Sequence, residues 1–175
     1  MPRVWVSLGS NQARESSLAV AISRLRAHYG EQRLSPVYES EALGFTGEPF
    51  LNLVAGFETT EGVAQLRLRL HAIEDDAGRV RGPDKFAPRT LDLDLLTYGE
   101  VVGTLDGYQL PRDEILRYAF VLKPLADVAA TERHPATGRT YRDLWLDFRG
   151  NNLSLRPVAL ELGGAGDGDR PQAPG

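Results

Sequence analysis

Residues 88–96 read PRTLDLDLL. Leu91, Leu93 and Leu95 fall on every second position, the period of a strand with one buried face. Asp92 and Asp94 take the positions between them. At a rise of about 3.3 Å per residue, the two aspartates stand roughly 6–7 Å apart on one face, while the leucines point the other way into a core. Two carboxylates this close repel unless a cation or several donors lie between them. An oxygen-rich pair suits Mg²⁺, which takes one or two carboxylates and completes its shell with water and phosphate oxygens. A bare Asp-x-Asp also suits the solvated outer face of an edge strand.

The loop before the strand favours the first reading. RVRGPDKFAPRT, residues 79–90, holds Gly82, Pro83 and Pro88 and excludes regular structure. It brings Arg79, Arg81, Lys85 and Arg89 ahead of the acidic pair. A basic loop flowing into an acidic strand sets charges for phosphate oxygens beside ligands for their metal, as phosphoryl transfer requires. Surface solvation, or ion pairs with the aspartates, would account for the cations alone. Glu74, Asp75 and Asp76 close the preceding helix, where acids oppose its dipole by roughly 0.3–1 kcal/mol each. Arg79 and Arg81 can offset this. Glu74, four residues after Leu70, can also point at the basic loop and orient an arginine or a ligand. Phe50 and Asn52 share a strand face, and Phe120 opens a helix. A planar heterocycle would use stacking faces and an amide to read its edge; core packing is the simpler alternative for each phenylalanine.

The chain of 175 residues suits one domain over 1–162, with a tail over 163–175 too poor in apolar residues to fold. A net charge of −4 argues against binding nucleic acid over the whole surface. The absence of cysteine removes disulfides, thiolate catalysis and Cys-based zinc sites. The N-terminus starts directly into strand-like sequence, with no signal or membrane-spanning pattern, so a cytoplasmic location away from membranes is expected. Periodicity predicts strands at 3–8, 33–41 and 50–59, and helices at 14–29 and 62–77, each closed by a glycine. The opening strand runs to Tyr98 and turns into a short strand at Val101-Val102; a third helix follows over 113–130, then a loop, RHPATGRT. The order β-α-β-β-α-β is the ferredoxin-like α+β pattern, a mainly antiparallel sheet with two helices on one face. A third helix on the other face would complete a three-layer α/β/α sandwich.

SLGSN at 7–11, FLN at 50–52, GRVR at 78–81 with PRTLDLDLL at 88–96, and AFVLKPLADVA at 119–129 resemble the 6-hydroxymethyl-7,8-dihydropterin pyrophosphokinase family. The resemblance covers about residues 3–148. It implies a three-layer fold on a ferredoxin-like core and transfer of pyrophosphate from ATP to the pterin alcohol, releasing AMP, in folate biosynthesis. It further implies that Asp92 and Asp94 hold two Mg²⁺ ions, and that Arg79 and Arg89 clamp the triphosphate and assist transfer. Glu74, Arg81, Phe86 and Leu95 would lie on the nucleotide side. Phe50 and Phe120 would sandwich the pterin, and Asn52 would read its edge with groups near Ser40 and Leu43. No partner chain is implied. The sequence departs from the pattern at Arg112, where many members carry histidine, and at Phe86, where tryptophan is common. It departs again at Tyr118, where an arginine is usual and Arg117 lies one residue earlier. Arg112 and Arg117 are candidates for replacement phosphate contacts. His28, His71 and His134 match no family site. Two other readings remain open: a non-catalytic pterin- or nucleotide-binding paralogue, suggested by the altered 107–118 segment, and a two-metal phosphodiesterase, which would want more metal ligands.

Overall fold

Strand β1 (Arg3–Ser10) buries Val4, Val6 and Leu8 on one face and turns Trp5, Ser7 and Gly9 to the other. The computed structural model describes residues 1–41, 48–79, 91–150, 154–160 and 162, apart from the side chains of Gly78 and Arg79. Helix α1 (Arg14–Tyr29) has the predicted bounds and buries Leu18, Ile22 and Leu25. Its last turn is closed by Gly30, whose positive φ of 76° lets its N–H reach the Arg26 carbonyl at 2.9 Å. Then come β2 (Arg33–Leu34), β3 (Val37–Ser40), β4 (Phe50–Glu58) and α2 (Val63–Arg79). The acidic strand is β5 (Asp92–Tyr98), followed by the hairpin β6 (Gly103–Leu105) and β7 (Tyr108–Leu110). The chain ends in α3 (Glu114–Arg117), α4 (Ala119–Val128), α5 (Tyr141–Leu146) and β8 (Arg156–Val158).

The main sheet runs β5-β1-β4-β3-β8, with β2 also paired to β4, and every pairing is antiparallel. This is the ferredoxin-like order expected from the sequence, with β8 added at one edge. Helices α1 and α2 cover one face: Leu18, Ile22, Leu25, Leu66, Leu70 and Ile73 pack on Val4, Val6, Leu53, Leu93 and Leu95. Helices α4 and α5 cover part of the other: Val121, Leu122, Leu125 and Tyr141 pack on Trp5, Val54 and Leu96. Three layers result. No helix among the described residues is long and apolar enough to cross a membrane.

The structure departs from the periodicity at five places, each with a local cause. The expected strand 33–41 splits because Pro36 has no N–H to give the ladder. Ser35 takes over, its N–H donating to the Val54 carbonyl and its Oγ accepting from the Val54 N–H. Gly78 does not stop α2, which continues to Arg79. Val101-Val102 is not a strand; the chain instead forms a separate hairpin, β6 paired with β7 across the two-residue turn at Asp106 and Gly107. The single helix over 113–130 is two, because Tyr118 is extended at φ −123° and ψ 126°. Helix α5 and strand β8 were not anticipated; β8 has two exposed residues in three and shows no alternation. The tail 163–175 lies outside the described residues.

Two stability predictions arise from packing. A Cβ added at Gly56 would lie 2.3 Å from the Trp5 ring. Gly56→Ala is therefore expected to lower unfolding stability by about 1–3 kcal/mol in urea titrations, and Trp5→Leu in the same chain should recover part of the loss. His134 is buried, and its Nδ1 accepts from the N–H groups of Ala136 and Thr137 at 3.2 and 3.1 Å. Burial holds its pKa below the ordinary histidine value. The unfolded chain therefore takes up this proton first, and stability is lost as pH falls from about 6.5 toward the folded pKa. Thermal unfolding between pH 7 and 5 should show a shallower pH slope for His134→Gln than for the parent.

Candidate active site

The cleft lies on the α4 face of the sheet, and a gradient of side-chain size along β1 creates it. Trp5 fills the space beneath α4, Ser7 is small, and Gly9 has no side chain. Gly9 faces Asp92 on one neighbouring strand and Asn52 on the other. A Cβ there would lie 3.4 Å from Asn52 Oδ1 and 3.8 Å from the Phe50 ring, so glycine keeps the floor open. The resulting cavity is about 280 Å³. Asp92 and Asp94 line one side, Ser40, Phe50 and Asn52 the opposite side, and Glu114, Tyr118 and Phe120 the roof. At a strand spacing of about 4.8 Å, Asp92 and Asn52 stand roughly 10 Å apart across Gly9.

On the acidic side, the alternation separates the faces as the sequence suggested. Leu91, Leu93 and Leu95 are buried beneath α1 and α2, and Asp92 and Asp94 face the cleft. The strand carries a bulge at Leu96, where the pairing with β1 shifts between Trp5 and Val6. Alternation puts Leu96 on the same face as Asp92 and Asp94, in the α4 core and cleft wall, while Leu95 stays in the α2 core. Asp94 opens to solvent at the mouth, yet partial desolvation raises its pKa above the ordinary aspartate value. The negative charges of Asp92 and Glu114 add to the rise, while Arg112 and His71 oppose it. Such a pair, all oxygen and electrostatically frustrated, fits a hard divalent cation such as Mg²⁺. Among the described residues no group of three or more His, Asp or Glu side chains could cage a metal alone. A cation here would therefore draw on water and substrate oxygens.

The opposite side is polar in one direction only. Asn52 is buried, and its Nδ2 donates to Ser40 Oγ at 2.8 Å and to the Tyr38 carbonyl at 3.2 Å. Its Oδ1 accepts no hydrogen bond from the described residues and remains available to a ligand donor. Phe50 and Phe120 are half-buried and present their rings to the same cavity. Thus Asp92, Asp94, Ser40, Phe50, Asn52 and Phe120 come together as the sequence suggested.

Other candidates lie elsewhere. Glu74 is half-buried on α2, and its Oε1 lies 3.0 Å from His71 Nδ1. The Leu95 side chain is in the core on the far side of the sheet, and only its backbone is near the cleft. Arg112 ion-pairs with Glu114 at 3.2 Å and covers the Tyr108 ring, its guanidinium carbon 4.7 Å from the centroid. Arg117 is exposed and packs on the Tyr118 ring away from the cavity lining. Arg79 closes α2; Leu43, Arg81, Phe86 and Arg89 lie outside the described residues. Gly9, Leu96, Glu114 and Tyr118 were not named as site residues from the sequence. The strand alternation of β1 pointed to Ser7 and Gly9 and that of β5 to Leu96, whereas Glu114 and Tyr118 needed the break between α3 and α4.

The family model described as 7,8-dihydro-6-hydroxymethylpterin-pyrophosphokinase (HPPK) matches residues 5–130. The chain is 41% identical over 137 residues to the 2-amino-4-hydroxy-6-hydroxymethyldihydropteridine pyrophosphokinase of Pseudomonas aeruginosa, covering 76% of this chain and 84% of that one. It is 31% identical to the protein of the same name from Aquifex aeolicus, covering 93% of this chain and 99% of the relative. The crystal structure of the wild-type HPPK-DHPS of Plasmodium falciparum superposes with a TM-score of 0.65 at 12% identity, over 84% of this chain and 44% of that one. The chain thus spans most of the single-function relatives and less than half of the Plasmodium protein, with which it shares the fold. With an acidic strand, an open glycine floor and an aromatic wall in one cleft, all within the residues 5–130 that the family model matches, the chain belongs to the 7,8-dihydro-6-hydroxymethylpterin pyrophosphokinase family.

Proposed function

We propose that the chain transfers pyrophosphate from ATP to the hydroxymethyl group of 6-hydroxymethyl-7,8-dihydropterin and releases AMP, a step in folate biosynthesis. The observation that carries this reading is the opposition, within one cleft of about 280 Å³, of an aspartate pair and an aromatic pair with a free amide acceptor. Phe50 and Phe120 stack the pterin, and Asn52 Oδ1 accepts from the N–H groups on its edge. Asn52 is held for this by donating its own Nδ2 to Ser40 and the Tyr38 carbonyl. The pterin alcohol then points toward the acidic side. Its oxygen attacks the β-phosphorus in line, the bond from that phosphorus to the α,β-bridging oxygen breaks, and AMP leaves as the alcohol proton is lost.

Asp92 and Asp94 would hold Mg²⁺, two ions in this proposal, whose charge would offset that developing on the phosphates. Arg79 and Arg89 clamp the triphosphate, with Arg81, Phe86, Glu74 and the Leu95 backbone on the nucleotide side. The site as proposed needs no second chain. We place the enzyme in the cytoplasm, where ATP is plentiful and a cysteine-free chain is at no disadvantage.

The direct test is AMP release from ATP, Mg²⁺ and the pterin. Asp94→Ala should lower it on the order of 10³-fold while leaving fluorescent pterin binding intact; AMP release that survives the change would refute the metal assignment. The two departing arginines are expected to differ. Arg112 reaches Asp94 electrostatically, whereas Arg117 is exposed, packs on the Tyr118 ring and is not among the residues that line the cavity. Arg112→Ala should raise the KM for ATP roughly three- to tenfold, and Arg117→Ala should leave it unchanged.

A further inference from the structure

Tyr118 lines the cleft together with Asp92, Asp94, Glu114, Phe50 and Phe120. It follows Glu114 by one helical turn, its N–H donating to the Glu114 carbonyl at 3.1 Å, and it precedes Phe120 by two residues. Its ring is fixed from two directions. It stacks on Phe120 with centroids 5.1 Å apart and planes 18° apart, and the Arg117 guanidinium carbon lies 5.5 Å from its centroid. The hydroxyl is different. The hydroxyls of Tyr29, Tyr38, Tyr98 and Tyr108 each donate to a partner within the protein: Glu61, Asp127, the Glu61 carbonyl and the Leu95 carbonyl. The hydroxyls of Tyr118 and Tyr141 make no such bond to the described residues, and of the two only Tyr118 lines the cleft, Tyr141 being buried in the α4 core. A ring held this firmly in a cavity, with its one polar group left unused, is a group kept for a ligand.

We propose that Tyr118 contacts the substrate: its hydroxyl hydrogen-bonds the alcohol on the pterin's one-carbon arm, and its ring holds Phe120 in the plane on which the pterin stacks. The assignment rests on the pterin reading above and adds a specificity-determining residue to it. The arm must lie where the aromatic part of the cleft meets the acidic part, because the ring occupies the first and the phosphates the second. Tyr118 stands at that junction, between Phe120 and the Glu114 that faces Asp94. A phenol can donate to an alcohol oxygen or accept from its O–H, so the contact forms whichever way the alcohol proton points.

The test pairs a change in the protein with one in the ligand. Fluorescence titrations compare 6-hydroxymethylpterin with 6-methylpterin, which has the same ring and no alcohol. Tyr118→Phe keeps the ring stack and removes only the hydroxyl. It is expected to weaken 6-hydroxymethylpterin about three- to tenfold and to leave 6-methylpterin unchanged. Tyr118→Leu, which also removes the stack, should weaken both. Equal weakening of the two pterins by Tyr118→Phe, or no weakening of either, would overturn the hydroxyl contact. A parent protein that binds neither pterin would instead overturn the functional reading itself.

Discussion

Strand β5 must satisfy a core and a charge site with the same seven residues, and that constraint governs the molecule. Leu91, Leu93 and Leu95 are nearly fully buried under α1 and α2. Each contributes about 1.5–3 kcal/mol by leaving water. The repulsion between Asp92 and Asp94, at roughly 6–7 Å and an effective dielectric of about 20, is about 2–3 kcal/mol before solvent screening reduces it. The leucines therefore win, and the strand stays in register whether or not a cation is present. A register slip of one residue would bury both aspartates and expose all three leucines, so no alternative pairing competes. The repulsion remains, on a rigid support, and a cation bound there as proposed would relieve it.

The rest of the site depends on that register through the pairing of β1 with its two neighbours. Once Asp92 faces Gly9 and Gly9 faces Asn52, the acid and the amide stand across a floor with no side chain between them. Two repeats of the pleat away, beyond Ser7, the same face holds Trp5, and Gly56 on β4 provides the room for its ring. The bulky end of the row supports α4, whose first turn carries Phe120 into the cleft. Opening and support thus come from opposite ends of one strand.

Much of this was legible because it is periodic. Helix α1, the order of the ferredoxin-like core and the two-faced character of β5 follow from spacings of three to four or of two. The cleft residues that share a strand with a recognisable neighbour, Phe50 with Asn52 and Asp92 with Asp94, were legible for the same reason. What was not legible depends on single backbone events. Pro36 splits a strand and the extended Tyr118 breaks a helix; neither alters the hydrophobic pattern. Arg117 could not be distinguished from Arg112 in sequence, because only the turn between α3 and α4 sends them in different directions.

The segment 107–118, where the sequence departs furthest from its family, is nevertheless tied to the acidic strand. The ties run through the carbonyls beside the bulge. The Leu95 carbonyl accepts from the Tyr108 hydroxyl at 2.8 Å, and the Leu96 carbonyl accepts from the Arg112 N–H at 2.9 Å. The second of these is a backbone bond, indifferent to the side chain at position 112. The first is reinforced by Arg67 and Arg112, whose guanidinium carbons lie 3.9 and 4.7 Å from the Tyr108 centroid. Positions 112, 117 and 118 can therefore change identity without moving Asp92 and Asp94. Substitution there leaves the acidic strand where it was, so an altered segment is compatible with the proposed reaction.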